Sequence, residues 1–467
     1  MSSTKNFLNR WAKRLNSIAL AGSATTPWRP WQLNLFRFAF IFLLILIIPV
    51  DWKFYSDLYH TKWASLHVYE LLKLSKYMPD FFALKDHQPE WGLKSFSSWG
   101  LAALIAIAGA FIWRKQQPDK KEYVVLYYWL RVLVRYRLAI ALFAYGFIKL
   151  FPLQMPYPSL SNLLTNYGDF FSWKIYFQTL GIEPKYESFL GFVEILAAVL
   201  LFNRKTTAFG AGLIIGFLGN VAAANGFYDI GEHVFSTFIV LLSVFLLVYD
   251  VPKLYTLLIK EKKGIASKFK PVFSEPVLKR IRFFGKSFTL LFALLFGSLA
   301  LYSFIYDPYK VPKTPGLTGA YGFYNVKDFV INGDTIPYSK TDSTRWQDVV
   351  FEKWSTISVN VNKPLKIDLS SGDGYFENDI DRNYEIAGLS GRRYFYYKAD
   401  TINKKLLLQN KNKNYRYEKL NLSYTIPSDS VIILSGINER NDSIHVRLEK
   451  NNKKILMKEG RRRPVNI

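Results

Sequence analysis

The chain has no cysteine among its 467 residues. A domain built from it therefore folds without disulfides, and its side chains cannot supply a reactive thiol, an iron–sulfur cluster, a c-type haem attachment or a thiolate zinc site. The sequence also lacks a phosphate-binding glycine loop, a nucleophile elbow and a paired metal-binding histidine motif. These absences exclude most of the redox chemistry that the protein could perform alone.

Acidic residues are scarce as well, since 36 Asp and Glu stand against 61 Lys and Arg and leave a formal net charge of +25. An excess of this size can indicate binding to nucleic acid. In the first 306 residues, however, most of the basic excess lies in loops beside apolar runs, where it reports membrane topology and attraction to anionic lipid headgroups. The charge therefore predicts a lipid bilayer as the partner, and no nucleic acid.

Long apolar runs are concentrated before residue 306, and the rest of the chain is polar. Seven runs approach the roughly 18 to 20 residues that span a bilayer core. They occupy 33–50, 97–113, 138–151 (extended backward through YYWLRVLVRYR), 187–202, 207–224, 233–249 and 287–306. Because they are apolar on all sides, the pattern predicts membrane spans rather than the amphipathic helices of a soluble core.

Basic residues gather in four segments: before the first run, after the second, after the fourth, and within 252–286. Basic segments stay on the cytoplasmic side, and these four alternate correctly when the N-terminus is cytoplasmic. Arg131, Arg135 and Arg137 are then predicted at the cytoplasmic edge. The first run is predicted to be an uncleaved anchor. We expect a bacterial inner (cytoplasmic) membrane protein whose C-terminal domain is periplasmic or otherwise extracytoplasmic.

Residues 307–467 carry the pattern of antiparallel β structure, with short alternating runs between turn-formers such as NGD and NERND. The runs lie at 355–361, 405–410, 415–426, 430–436, 443–450 and 454–458. In SIHVRLE the alternation turns His445 toward solvent, away from Ile444 and Val446. About eight strands predict an exported lipocalin-like barrel or sandwich, preceded by the proline-stiffened stalk DPYKVPKTPG.

Two segments are predicted to lie on the membrane surface. The hydrophobic spacing in KNFLNRWAKRLNSI predicts a cytoplasmic interfacial helix within 1–32. The aromatic loop 51–95 has helical spacing and predicts an interfacial helix over the outer leaflet. His60 and His67 would share a face of that helix, but zinc or copper would need further ligands, for which Asp57 and Glu70 are candidates. Plain interfacial histidines are favoured, and no metal site is assigned.

Seven polar residues are predicted in the outer half of the central spans: Lys149, Glu194, Asn220, Asn225, Asp229, Glu232 and His233. An ionised group in hydrocarbon costs on the order of 3 kcal/mol or more, so these side chains should turn inward and pair, with Lys149 and Glu194 as the natural pair. The turn DIGEH would form the rim of this polar site, roofed by the loop 51–95.

Three interpretations of these residues are open. In the first, they clamp helices together, with asparagines bonding across them, and do no chemistry. In the second, they line a polar pocket for a quinone head group or an acidic small molecule, with Glu194, Lys149 and His233 as catalytic candidates and Asn220, Asn225, Asp229 and Glu232 as ligand-binding ones. A transport path is the third interpretation.

The stretches LAIALFAYGFIKLF, FLGFVEILAAVLLFNRKTTAFGAGL and NVAAANGFYDIGEHVFSTF carry a resemblance to a known family. In order and spacing, residues 130–255 resemble the DoxX-like family of small four-helix membrane proteins. The matching positions are Gly146, Phe147, Lys149, Gly191, Glu194, Arg204, Asn225, Asp229 and Ser236. The resemblance implies a four-helix bundle over 128–255.

Members of that family include the membrane subunit of a thiosulfate:quinone oxidoreductase and partners of thiol and oxidative-stress enzymes. The resemblance thus implies a quinone-linked oxidoreductase subunit with quinone as ligand and an envelope redox protein as partner. The absence of cysteine argues against a self-contained thiol mechanism. A membrane part ahead of a β domain is also similar in outline to the vitamin K-dependent carboxylase family, in which Lys149 would act as a base, but the C-terminal domain matches no motif of that family.

The alternative function is non-enzymatic: a membrane anchor or scaffold that presents the exported β domain to an envelope partner or a lipid. For either function the predicted division of the chain is the same. It comprises the interfacial segment 1–32, the first two spans with their outer loop at 33–127, the DoxX-like bundle at 128–255, a basic segment and last span at 256–306, and the β domain at 307–467.

Overall fold

The computed structural model describes residues 19–20, 27–82, 92–262, 271–272, 276–366, 368, 376–388 and 391–455. The interfacial helix predicted from residues 5–18 lies outside this part of the chain. Two compact units emerge, a helical unit of Met1–Phe151 and Phe189–Leu301 and a barrel unit of Pro152–Ser188 and Tyr302–Ile467. Each unit is described in turn.

All seven predicted apolar runs are helical. The helices are α1 (Pro30–Ile47), α2 (Trp52–His60), α3 (Val68–Ser75), α4 (Ser97–Gln116), α5 (Val124–Leu150), α6 (Leu160–Leu163), α7 (Ser172–Gly181), α8 (Pro184–Phe202), α9 (Thr207–Phe227), α10 (His233–Val248), α11 (Val251–Leu258) and α12 (Pro276–Tyr306). In the helical unit, fully buried residues such as Leu46, Leu138, Ala198 and Phe238 form the core between them.

Among the described residues, four helical stretches, which contain α1, α4, α9 and α12, are long and apolar enough to cross a membrane. The pair α10 and α11, bent by 66°, makes a fifth if it is one span. Helices α5 and α8 do not meet this criterion of length and composition, and they contain the charged residues Lys149 and Glu194. The helices are therefore compatible with a membrane protein, and the count of seven spans stays a prediction.

The aromatic loop forms two helices, α2 and α3, and not the single helix predicted. Asp51 caps α2 by accepting a hydrogen bond from Phe54 N at 2.9 Å, and His67 caps α3 by accepting one from Tyr69 N at 3.1 Å. His60 thus ends one helix and His67 precedes the next, so their spacing does not place them on one helical face. The described residues contain no group of three or more side chains suited to hold a metal.

The barrel unit contains an antiparallel sheet that closes on itself. Its strands are β1 (Gly322–Ile331), β2 (Asp334–Thr335), β3 (Trp346–Phe351), β4 (Thr356–Val361), β5 (Arg392–Asp400), β6 (Lys405–Asn410), β7 (Lys419–Ser428), β8 (Val431–Asn438) and β9 (Ser443–Lys450). Eight strands pair in chain order from β1 through β3 to β9, and β9 pairs back onto β1, while the short β2 pairs only with β1. The predicted meander is an eight-stranded barrel.

Side chains fill the interior of this barrel. Alternate residues of each strand point inward, as in β9, where Ile444, Val446 and Leu448 are buried and His445 is exposed as predicted. Rings such as those of Phe351 and Tyr397 join the same core. The lipocalin-like outline therefore encloses a core of packed side chains.

The segment 152–188 is built into the barrel unit, although the sequence placed it inside the bundle of 128–255. Glu352 accepts hydrogen bonds from Ser161 N at 2.8 Å, Ser161 Oγ at 2.6 Å and Leu160 N at 3.2 Å, at the first turn of α6. Lys174 on α7 donates to the carbonyl of Tyr384 and lies 3.3 Å from the centroid of its ring. Buried polar contacts thus hold this segment to the barrel.

The predicted stalk is also packed on the barrel. Asp379 accepts hydrogen bonds from Lys313 N and Thr314 N, each at 2.9 Å. Gly316 N donates to the carbonyl of Lys353 at 2.9 Å. Proline stiffens this segment, but these contacts make it part of the unit and not a free spacer.

Lys174 should make the stability of the barrel unit depend on pH. Burial lowers the pKa of its ammonium group well below the 10.5 of an exposed lysine, so the unfolded chain binds the proton more tightly. The free energy of unfolding of the barrel unit should therefore rise with pH, from the lowered pKa of Lys174 in the folded state up to its pKa of about 10.4 in the unfolded chain. We expect Lys174→Met to raise the unfolding temperature relative to wild type more at pH 6 than at pH 10, measured by tryptophan fluorescence. Lys363→Met, at an exposed lysine, is the matched control, and an equal shift at both pH values would contradict the assignment.

Candidate functional site

The candidate site is positioned by a close crossing of α5 and α8. A Cβ atom on Gly191 would lie 2.3 Å from Leu150 N and 2.4 Å from Gly146 O, so the two backbones touch where both side chains are absent. In helices packed within lipid, small residues allow such an approach. Lys149 and Glu194 each follow their glycine by three residues, so the crossing brings them together.

The predicted pairing of these two residues is confirmed. Lys149 Nζ donates to Glu194 Oε1, with the side chains 9% and 1% exposed. The second carboxylate oxygen, Oε2, is buried and accepts no hydrogen bond from the residues that the structure describes. The pair can therefore clamp the helices, and it also retains one acceptor for a proton or a hydroxyl donor.

Glu232 is the centre of a second polar cluster. Lys76 Nζ lies 2.8 Å from Glu232 Oε1, and the Tyr145 hydroxyl donates to Oε2 at 3.0 Å. Asn225 Nδ2 donates to Ser236 Oγ at 3.0 Å beside it. These contacts join the segment after α3 to α5 and to the connection between α9 and α10.

His233 belongs to the same connection but makes a different contact. Its Nε2 lies 2.8 Å from Ser95 Oγ, and its ring meets Phe96 edge-on with the centroids 5.9 Å apart. Ser95 and Lys76 were not singled out from the sequence because neither lies in an apolar run. Both residues belong to the loop 51–95, which the sequence predicted to cover the site, and this was the signal that could have indicated them.

Asn220 and Asp229 do not join either cluster, so the seven predicted residues do not converge on one pocket. Asn220 is exposed on α9, because five residues separate it from Asn225 and place the two about 140° apart on a helix of 3.6 residues per turn. Asp229 is exposed in the turn after α9, where its φ of 54° lies in the left-handed region. The prediction that both turn inward is wrong.

Arg131, Arg135 and Arg137 were predicted together at the cytoplasmic edge, opposite the loop 51–95, and Arg137 instead contacts that loop. It donates to the carbonyls of Ser75 at 2.8 Å and Tyr77 at 2.7 Å, at the C-terminal end of α3 in the loop 51–95. Its guanidinium also lies 5.4 Å from the ring centroid of Phe238. Two residues separate it from Arg135, which turns it about 200° to the opposite face of α5.

Comparison with known proteins gives one weak relative. The chain is 35% identical over 100 residues to the uncharacterized protein YwoB of Bacillus subtilis (strain 168). That stretch is 21% of this chain and 59% of the relative, so the chain covers less than two thirds of the protein it matches. No family model matches the sequence, and no solved structure matches the fold. The comparison assigns no family and no activity.

The buried pair should show strong coupling between its two members. Removing one partner leaves an uncompensated buried charge at a cost of about 3–5 kcal/mol, whereas replacing both by apolar residues is often neutral. We expect Lys149→Met and Glu194→Leu each to lower the unfolding free energy in mixed micelles by several kcal/mol, and the double variant to recover most of it. Additive losses would contradict the pairing, and Lys120→Met, at an exposed lysine, controls for charge alone.

The glycine crossing should tolerate no larger residue. Gly191→Ala puts a methyl group against the backbone of α5, and overpacking of this kind costs about 1–3 kcal/mol. Gly212→Ala on α9 is the matched control, because a Cβ there meets nothing within 4 Å. We expect a lower unfolding temperature for Gly191→Ala alone; equal behaviour of the two variants would show that the helices do not touch at Gly191.

Proposed function

We propose that this protein is a bacterial inner-membrane anchor and scaffold, whose helical unit carries the barrel unit outside the cytoplasm for binding to an envelope partner or lipid. The observation that carries the proposal is the packing of 152–188 into the barrel unit. A tethered domain needs one connection to its membrane part. This barrel unit has three chain connections, at residues 151–152, 188–189 and 301–302, which suits a domain that functions while attached to its helical unit.

The packing within each unit supports a scaffold. In the helical unit, Lys149 forms an ion pair with Glu194, and Lys76 forms one with Glu232. The barrel interior is occupied by its own side chains. Both features stabilise a fixed arrangement, and neither requires a substrate.

The topology is consistent with export. We propose that residues 152–188 and the barrel, which belong to one compact unit, lie on the same side of the bilayer. The four basic segments alternate so as to occupy the opposite side, which the distribution of Lys and Arg makes cytoplasmic.

A quinone-linked oxidoreductase subunit is the second candidate, and Glu194 Oε2 favours it. This buried oxygen accepts no hydrogen bond from the described residues, while the other oxygen of the same carboxylate is paired with Lys149. It would accept a hydrogen bond from a quinol hydroxyl. Tyr145 stands between the clusters, with its ring centroid 5.8 Å from Lys149 Nζ and its hydroxyl bonded to Glu232. In this function Glu194 and Lys149 bind and relay protons, and a partner supplies electrons.

The double variant Lys149→Met/Glu194→Leu separates the two functions. As a scaffold, it should restore the envelope integrity of a strain deleted for the gene, since the pair only holds helices. A chimaera in which unrelated spans carry 152–188 and 302–467 should do the same. Copurifying quinones are quantified by mass spectrometry in wild type and in both variants. A stoichiometric quinone in wild type, lost from a double variant that also fails to complement, would overturn the scaffold in favour of the redox subunit.

A further inference from the structure

A cavity of about 260 Å³ lies in the helical unit, at the end of the bundle where α5 begins and α8 ends. It is remote from the candidate site, because Arg131 and Lys149 are separated along α5 by about 27 Å at 1.5 Å per residue. Five cationic side chains line it against one carboxylate: Arg131, Arg135, Arg204, Lys205 and Lys253 against Asp250. The lining therefore has an excess of four positive charges.

Arg131 is one of the largely buried cations of this lining. Its guanidinium stacks 3.6 Å from the ring centroid of Tyr249, and its contact with Asp250 Oδ2 is long, at 3.5 Å. Asp250 is shared with Lys253, whose Nζ lies 3.0 Å away. The buried Nε of Arg131 donates no hydrogen bond within the described residues. The guanidinium of Arg131 is thus held by Tyr249 and is only weakly paired with Asp250.

The other cations are held around the same space. Arg135 Nε donates to the carbonyl of Leu201 at the end of α8, at 2.7 Å. Arg204 and Lys205 lie in the exposed turn between α8 and α9 and form no ion pair in the part of the chain that the structure describes. Like charges at this density repel one another, so an anion bound among them would stabilise the arrangement.

We propose that this cavity binds the phosphate headgroup of an anionic membrane lipid. Guanidinium groups present N–H donors in the planar geometry that phosphate accepts, and basic pockets between membrane helices suit lipid headgroups. The volume is below the roughly 300–1,000 Å³ of pockets that enclose a whole drug-sized ligand, so it suits a headgroup whose chains lie outside.

The apolar part of the surroundings favours a lipid over a free phosphate ion. Val124, Val132 and Ala208 line the cavity beside the cations. Phe209, which follows Ala208 at the start of the apolar helix α9, is 76% exposed. Acyl chains would cover such a surface, and an inorganic anion would leave it bare.

Native mass spectrometry of the full-length protein in detergent tests the proposal, with cardiolipin as the probe and phosphatidylcholine, which has no net charge, as the comparison. We expect cardiolipin to bind with defined stoichiometry and phosphatidylcholine not to compete. Arg204→Gln/Lys205→Gln should weaken binding about 30-fold, since two basic residues contribute about 1 kcal/mol each. Ala208→Leu, which fills the cavity without changing charge, should weaken it as well.

Arg114→Gln/Lys115→Gln is the matched control, because it removes two exposed cations at the end of α4 that do not line the cavity. Equal weakening by the control and by Arg204→Gln/Lys205→Gln would overturn the proposal in favour of general electrostatic attraction. No effect of Ala208→Leu would also overturn it. Inorganic phosphate or pyrophosphate that displaces cardiolipin at equal concentration would identify a free-ion site and exclude the lipid as the specific ligand.

Discussion

The contact between the backbones of Gly146 and Gly191 is the constraint on which the candidate site depends. It brings α5 and α8 close enough for Lys149 to reach Glu194, and so makes a charged pair tolerable among apolar helices. The same helix carries Tyr145 toward Glu232 and Arg137 toward the loop that follows α3. Helix α5 therefore contributes to both polar clusters of the helical unit, and its close approach to α8 depends on the absence of two side chains.

The barrel unit obeys a different constraint, the burial of charged side chains among hydrogen-bond partners. Glu352 receives donors from the first turn of α6, and Lys174 is held by Tyr384, so the segment 152–188 is bound by polar groups that water cannot reach. Such contacts are directional, and they specify one way of packing a loop on a closed sheet. The barrel itself needs only its alternating apolar residues, which explains why its interior is full.

Local pattern was sufficient for much of this architecture. The seven apolar runs are helices, as their length and their apolar residues on all sides predicted. Strands β6 and β9 have the bounds that the alternation of apolar and polar residues predicted. The Lys149–Glu194 pair was also predicted, since two opposite charges in neighbouring spans have few other partners. The sequence indicates how far along a span a polar residue lies, but not which side of the helix its side chain faces. That is why the predictions for Asn220, Asp229 and Arg137 differ from the structure.

The sequence by itself determined the division into apolar helices and a polar β domain, because hydrophobic periodicity is a local property of the chain. It also determined that no disulfide or thiolate metal site can form. The tertiary structure decided that 152–188 belongs with the barrel, that Lys76 and Ser95 meet Glu232 and His233, and that five cations surround one cavity. These features join residues far apart in sequence, and only the packing of whole helices and strands selects which distant side chains meet.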